Sequence, residues 1–206
     1  MGEHGNLLCH LPQIDTKGLG LRINPKLSQN GKWTIEVCSD SDWAGNPDDR
    51  KSVGCFITLA CGVPVAWRSK GQKVVSLSTA EAEFCACVEA AKEMPFIAQI
   101  LVFLGIEVEL PIKVRIDNVG AMFMSENVTS TPRTRHMDAR HWWITDLQDD
   151  GLIKVEFVST KDNMSDIGAK NVSGDVLDKH LPMLQCYREP RSNKMIATWQ
   201  DAEESN

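Results

Sequence analysis

The chain has 206 residues, 42% of them hydrophobic and 24% charged, and a formal net charge of −6. That size suits one ordinary domain with tails, and that composition excludes a disordered chain. No apolar run approaches the ~20 residues that span a bilayer, Met1–His10 lacks the basic-then-apolar order of a secretory signal, and the acidic balance argues against a broad electrostatic nucleic-acid binder while still permitting a nuclease whose carboxylates carry divalent cations.

Residues 1–32 are mixed and turn-rich and read as a connecting segment. Trp33 to Ser39 alternates as a strand does, and Asp40 ends it. Gly45, Asn46 and Pro47 then mark a loop reaching Asp49. Ser52–Ala60 predicts a second strand, Cys61-Gly62 a tight turn and Val63–Trp67 a third strand, together a β-meander. Ser78-Thr79-Ala80-Glu81 has capping-box spacing with Ser78 as N-cap. Phe84, Val88 and Ala91 continue as an apolar helical stripe. Pro95 predicts a kink or a new start. The stripe resumes at Ile100, Leu101 and Leu104, and Gly105 closes it.

Pro111 precedes a short predicted strand, Ile112–Ile116, which ends at Asp117. A short helix is expected over Val119–Glu126, and a polar, basic loop over 127–136. Met137–Asp149 is amphipathic and stopped by Gly151. Leu152–Val158 is the last predicted strand. Asn163–Lys170 and Ser173–His180 are helical candidates, and a polar tail begins near 187. Hairpin-linked strands followed by strands joined through helices predict an α/β domain over 33–186, with a mixed sheet and helices packed on it.

Seven cysteines lie at 9, 38, 55, 61, 85, 87 and 186. The odd count and the lack of a Cys-x-x-Cys pair argue against zinc and for buried, reduced thiols in an intracellular protein. Four acids stand out instead. Asp40 and Asp117 end strands, Glu83 sits in the first turns of the long helix, and Asp166 opens a later one. Converging carboxylates repel unless cations neutralise them. All-oxygen ligands favour Mg²⁺ or Mn²⁺. Two such ions about 3.5–4 Å apart can clamp both oxygens of a phosphodiester exchange. With 28 acids in the chain, that pattern alone leaves many other choices open.

Several blocks carry a resemblance. Ser39-Asp40-Ser41-Asp42-Trp43-Ala44-Gly45, continued by Asp49-Arg50-Lys51-Ser52, resembles the opening of the ribonuclease H domain of copia-type retrotransposon polyproteins. Leu77-Ser78-Thr79-Ala80-Glu81-Ala82-Glu83-Phe84 resembles its helix motif. Asp117-Asn118, Arg133-Thr134-Arg135-His136-Met137-Asp138 and Ser165-Asp166-Ile167-Gly168-Ala169-Lys170 resemble later blocks, in family order. Thr16-Lys17-Gly18-Leu19-Gly20-Leu21 resembles the segment joining such a domain to a reverse transcriptase.

The resemblance implies a ribonuclease H-like fold: a five-stranded mixed sheet, three antiparallel strands then two parallel. It implies an endonuclease that hydrolyses the RNA strand of RNA–DNA hybrids with two Mg²⁺ ions (Mn²⁺ substituting), leaving 5′-phosphate and 3′-hydroxyl ends. Asp40 would bridge both ions, Glu83 and Asp117 would hold one, and Asp166 the other. Asp42 rivals Asp40, Glu81 neighbours Glu83 but fits the cap, and Asp162 is a weaker rival to Asp166. Expected substrate contacts are Asn46, Ser78, Thr79, Arg133 and Arg135, with Arg140 nearby. Ser78 and Thr79 serve equally as a plain helix cap, and the arginines as a solvated loop. The implied partners are the hybrid and a reverse transcriptase domain of the same polyprotein, with no membrane, in a cytoplasmic particle or the nucleus.

Three departures matter. Val119 stands where the family has Gln, Ser159–Ser165 lacks a His, and Met94-Pro95 interrupts the helix. His136 and His141 remain open as replacements. A scaffold that has lost turnover, and an integrase-like or resolvase-like enzyme on the same fold, are the competing readings.

Overall fold

The computed structural model describes residues 19–21, 23–126 and 135–188. Among the described residues the strands are β1 (Leu19–Leu21), β2 (Trp33–Asp42), β3 (Val53–Ala60), β4 (Val63–Gly71), β5 (Val108–Ile116), β6 (Ile153–Phe157) and β7 (Cys186–Arg188). The α-helices among the described residues are α1 (Thr79–Phe103), α2 (Val119–Glu126), α3 (Arg135–Asp149), α4 (Asp166–Ala169) and α5 (Gly174–His180). The main sheet runs in the order β4-β3-β2-β5-β6. Its first three strands pair antiparallel, and β2–β5 and β5–β6 pair parallel. This is the expected ribonuclease H-like arrangement.

Alternation along the strands loads both faces. Ile35 and Val37 of β2 join Phe84, Val88 and Met94 of α1 and Ile144 of α3 in the larger core. Cys38 turns the other way, into a smaller cluster with Cys55, Ile57, Leu59, Met164, Ala169 and Leu184. Each large side chain buried this way stabilises the fold by about 1.5–3 kcal/mol.

Where sequence and structure part, packing explains most of the difference. Helix α1 continues through Pro95 rather than restarting there. Proline removes one backbone bond, at a cost of about 3 kcal/mol. The fully buried Met94 beside it and the buried Leu101 beyond it anchor both halves to one core. Strand β2 runs on to Asp42, so Asp40 lies inside the strand instead of ending it. Strand β4 extends to Gly71, and β5 begins at Val108, before Pro111. The helix expected over 163–170 is a single turn, α4, preceded by a 3-10 turn at Thr160–Asp162.

No sequence signal announces the antiparallel β1–β7 ribbon. Three residues per strand carry no readable period. It joins residues assigned to the connecting segment to the end of the domain, and Gln185 helps by donating to the carbonyls of Asn24 and Gly62.

One topological feature places the site. Pairing of β2 with β5 stops at Cys38–Arg115, while β2 stays paired with β3 as far as Asp42–Val53. Beyond Cys38, the β5 side of β2 is therefore open, and Asp40 and Asp117 lie on either side of that opening.

Candidate active site

Asp40 is fully buried, Glu83 and Asp166 are buried, and Asp117 is half-buried. Carboxylate oxygens of Asp40, Glu83 and Asp117 all lie within 4.8 Å of one another. Two buried oxygens in this group, Asp40 Oδ2 and Glu83 Oε2, have no hydrogen-bond partner. A buried carboxylate oxygen without a donor is costly. This donor set, all oxygen and clustered, fits a hard divalent cation.

The electrostatics agree. Burial first, then the neighbouring carboxylates of Asp40 and Asp117, push Glu83 up to about 9, and Lys170 pulls it the other way. Burial and Asp40 likewise push Asp166 up to about 6 against the pull of Lys170. Unaided by a cation, the site keeps Glu83 protonated at neutral pH.

Asp166 approaches from the opposite side. Lys170 Nζ donates to Asp40 Oδ1 at 2.8 Å and to Asp166 Oδ1 at 3.0 Å, joining the two carboxylates through one ammonium. The two partners hold the Lys170 ammonium above its ordinary range despite its partial burial.

Local hydrogen bonds set these positions. Gln72 donates to Ser41 Oγ and to the carbonyl of Ala82, tying the start of α1, and so Glu83, to β2. Ser76 Oγ donates to Gln72 Oε1. Ser78 caps α1 by accepting from the Glu81 N–H, and Glu81 reaches back to the N–H of Leu77. Asn118 accepts from the Ala121 N–H and caps α2, which fixes Asp117 just before it. Fully buried Asn163 donates to the Ser39 carbonyl and accepts from Ser165 Oγ, docking the loop before Asp166 onto β2. Gly168 sits so close to β3 that a Cβ there would meet Cys55 Sγ at 2.5 Å.

The rivals separate. Asp42 is half-buried and bends over the following turn: a Cβ on Gly45 would lie 1.7 Å from its Oδ2. It is not part of the three-carboxylate group. Asp162 is exposed and pairs with Lys179 at 3.1 Å. Glu81 serves the helix cap.

Asn46, Ser78 and Thr79 are exposed. The Asn46 side-chain oxygen accepts from the Asp48 N–H within its own turn. Arg133 and the side chains of Arg135 and His136 lie outside the described residues. His141 is buried, donates from Nδ1 to the Met124 carbonyl at 2.7 Å, and stacks on Phe84 with ring centroids 4.3 Å apart. That is a core role. Val119 is 61% exposed at the start of α2.

Sequence reasoning missed Lys170, Gln72 and Asn163. Lys170 had one available signal, its i,i+4 spacing from Asp166. It also missed a basic groove beside the β3–β4 pair and α1, lined by Arg68, Lys70, Lys73, Lys92 and Arg140 together with Glu89. Arg68 and Lys92 pair with Glu89 there.

The six described cysteines are free. Burial pushes Cys38 up to about 11, and Cys55 and Cys87 up to about 12. These thiols are protonated and are poor nucleophiles. No helix among the described residues is long and apolar enough to cross a membrane.

No family model matches the chain. The retrovirus-related Pol polyprotein from transposon TNT 1-94 of Nicotiana tabacum is 38% identical over 134 residues, 65% of this chain and 10% of that polyprotein. The Pol polyprotein from transposon RE1 of Arabidopsis thaliana is 31% identical over 166 residues, 81% of this chain and 11% of that one. The chain thus spans about a tenth of the length of these relatives. Among solved structures, the LC11 ribonuclease H1 isolated from compost aligns with a TM-score of 0.49 at 16% identity, covering 72% of this chain and 98% of that one.

Proposed function

Since the chain is a relative of the copia-type retrotransposon Pol polyproteins and corresponds to their ribonuclease H domain, we propose that it is an endonuclease that hydrolyses the RNA strand of RNA–DNA hybrids with two divalent cations, Mg²⁺ or Mn²⁺. The single observation behind this reading is the meeting of Asp40, Glu83 and Asp117, in which one buried oxygen of Asp40 and one of Glu83 lack a hydrogen-bond partner and call for a cation. Asp40, Glu83 and Asp117 would hold one ion, and Asp40 with Asp166 the other. Bound there, divalent cations supply the charge that activates a water and stabilises the leaving 3′ oxygen.

The protein's own share is placement. Burial of Asp40 and the Gln72 and Asn163 tethers keep the carboxylates fixed before substrate arrives. Such preorganisation lowers the reorganisation cost of the reaction. No side chain need act as nucleophile, and the products carry 5′-phosphate and 3′-hydroxyl ends. The basic groove offers Lys70 and Lys73 to duplex phosphates, which position a hybrid without reading its bases. Asn46, Ser78 and Thr79 lie exposed for groove and phosphate contacts. The partners are the hybrid and a reverse transcriptase domain of the same polyprotein.

The test is cleavage of a hybrid labelled on the RNA strand, with Mg²⁺ and with EDTA. The expected result is Mg²⁺-dependent cutting of that strand alone, leaving 5′ phosphates. Binding without cutting would establish the scaffold reading instead. Cutting of duplex DNA but not hybrid would point to an integrase-like enzyme.

A further inference from the structure

Lys170 stands between the two carboxylates to which the second ion is assigned, so this inference rests on the proposed function. Its ammonium lies 2.8 Å from Asp40 Oδ1 and 3.0 Å from Asp166 Oδ1. These are charge-assisted hydrogen-bond distances. The Lys170 side chain is 36% exposed, whereas that of Asp40 is fully buried and that of Asp166 only 11% exposed. The ammonium therefore reaches into the site from its solvent edge, on a long flexible stem. The other side of Asp40 is different: its Oδ2, with Glu83 Oε2, has no partner.

We propose that Lys170 is a built-in cation that fills the second ion position when that ion is absent and must swing out toward solvent for the ion to enter. An ammonium and a divalent ion cannot share the same two oxygens, because like charges at that distance repel strongly. Loading is then ordered. The position among Asp40, Glu83 and Asp117 fills first, with both Lys170 contacts left in place. The Asp40–Asp166 position fills second and more weakly, because the ion must break both Lys170 contacts. In the metal-free protein Lys170 offsets the repulsion between two buried acids and so stabilises the fold. Removing one partner from such a group leaves buried charge uncompensated.

The experiment compares wild type with Lys170→Met and Lys170→Arg. It reads calorimetric Mn²⁺ binding and the melting temperature in EDTA. Wild type should show two unequal Mn²⁺ affinities. Lys170→Met should tighten the weaker one by about tenfold, a typical coupling between two competing ligands. It should also melt at lower temperature in EDTA and regain stability on Mn²⁺ addition. Lys170→Arg, which keeps the charge, should stay close to wild type in both measurements. Unchanged or weaker Mn²⁺ binding by Lys170→Met would overturn the inference while leaving the proposed function standing. No Mn²⁺ binding by either protein would overturn both.

Should Lys170→Met fail to fold, wild type alone decides. With its lysines labelled at Cε for NMR, the Lys170 signal should stay put through the first equivalent of Mg²⁺ and become solvent-like with the second. A signal unmoved at saturation would overturn the inference.

Discussion

On the α1 side of the cluster, Asp40, Glu83 and Asp117 crowd together with two buried oxygens unpartnered. On the α4 side, Asp40 and Asp166 share the Lys170 ammonium. The same buried aspartate thus faces an unanswered charge in one direction and an answered one in the other. The unanswered side shows the larger upward displacement, with Glu83 at about 9 against about 6 for Asp166. The contrast teaches that burial is the first cause on both sides and that neighbours then adjust it: like charges raise each carboxyl further, and the Lys170 ammonium, which Asp166 touches directly, holds it down.

Removing the residue common to both sides should have the largest effect. Asp40→Asn is expected to lower hybrid cleavage by about a thousandfold or more, since several kcal/mol of charge stabilisation go with it. Asp42→Asn, measured in the same assay, should only weaken it, because that carboxylate bends over Gly45. The reverse ranking would mean that the wrong aspartate has been placed at the centre.

Next comes the α4 side, through its backbone. Gly168→Ala drives a methyl group to within 2.5 Å of Cys55 Sγ. Overpacking of that kind costs about 1–3 kcal/mol, to be read from urea denaturation. A neutral result would show that α4 can shift freely against β3.

The α1 side is probed by pH. Glu83 is raised in the folded protein from 4.5 to about 9. Between those values the folded state binds more protons than the unfolded one, so stability falls as pH rises. Asp166, raised to about 6, adds to the fall over the lower part of that window. In EDTA the melting temperature should drop steadily from pH 5 to pH 9. Glu83→Gln should remove most of the drop, and saturating Mg²⁺ should flatten it. A level profile in EDTA would contradict the picture of an unanswered charge.

The smallest effect lies outside the cluster. Replacing Lys70 and Lys73 by Ala should weaken hybrid binding and make its salt dependence shallower, by roughly 0.7–0.9 in log–log slope for each phosphate no longer neutralised. Filter binding at several salt concentrations would measure it, and an unchanged slope would mean that the basic groove does not meet the hybrid.

Much of this contrast was legible in the sequence, but unevenly. The meander, α1 with its Ser78 cap and α2 follow from period and capping signals that act over a few residues. The four acids were named from strand ends and a family resemblance. Their partners were not. Gln72 and Asn163 act across long stretches of chain, so no local pattern announces them, and the one local sign of Lys170, its i,i+4 spacing from Asp166, does not show that it also reaches Asp40. Asp40 looked like a strand end because Gly45-Asn46-Pro47 follows closely, whereas antiparallel pairing with β3 carries β2 on to Asp42. Pro95 looked like a boundary because its backbone cost is local, while the burial that outweighs it is tertiary. His141 could be read as a stand-in for a missing loop histidine until its stacking on Phe84 put it in the core.

The most direct measurement is anomalous scattering from crystals soaked in Mn²⁺. The account predicts a strong first peak bounded by Asp40, Glu83 and Asp117, with a weaker second peak between Asp40 and Asp166 at higher concentration. Crystals saturated with Mn²⁺ that show no peak among the first three carboxylates would contradict it.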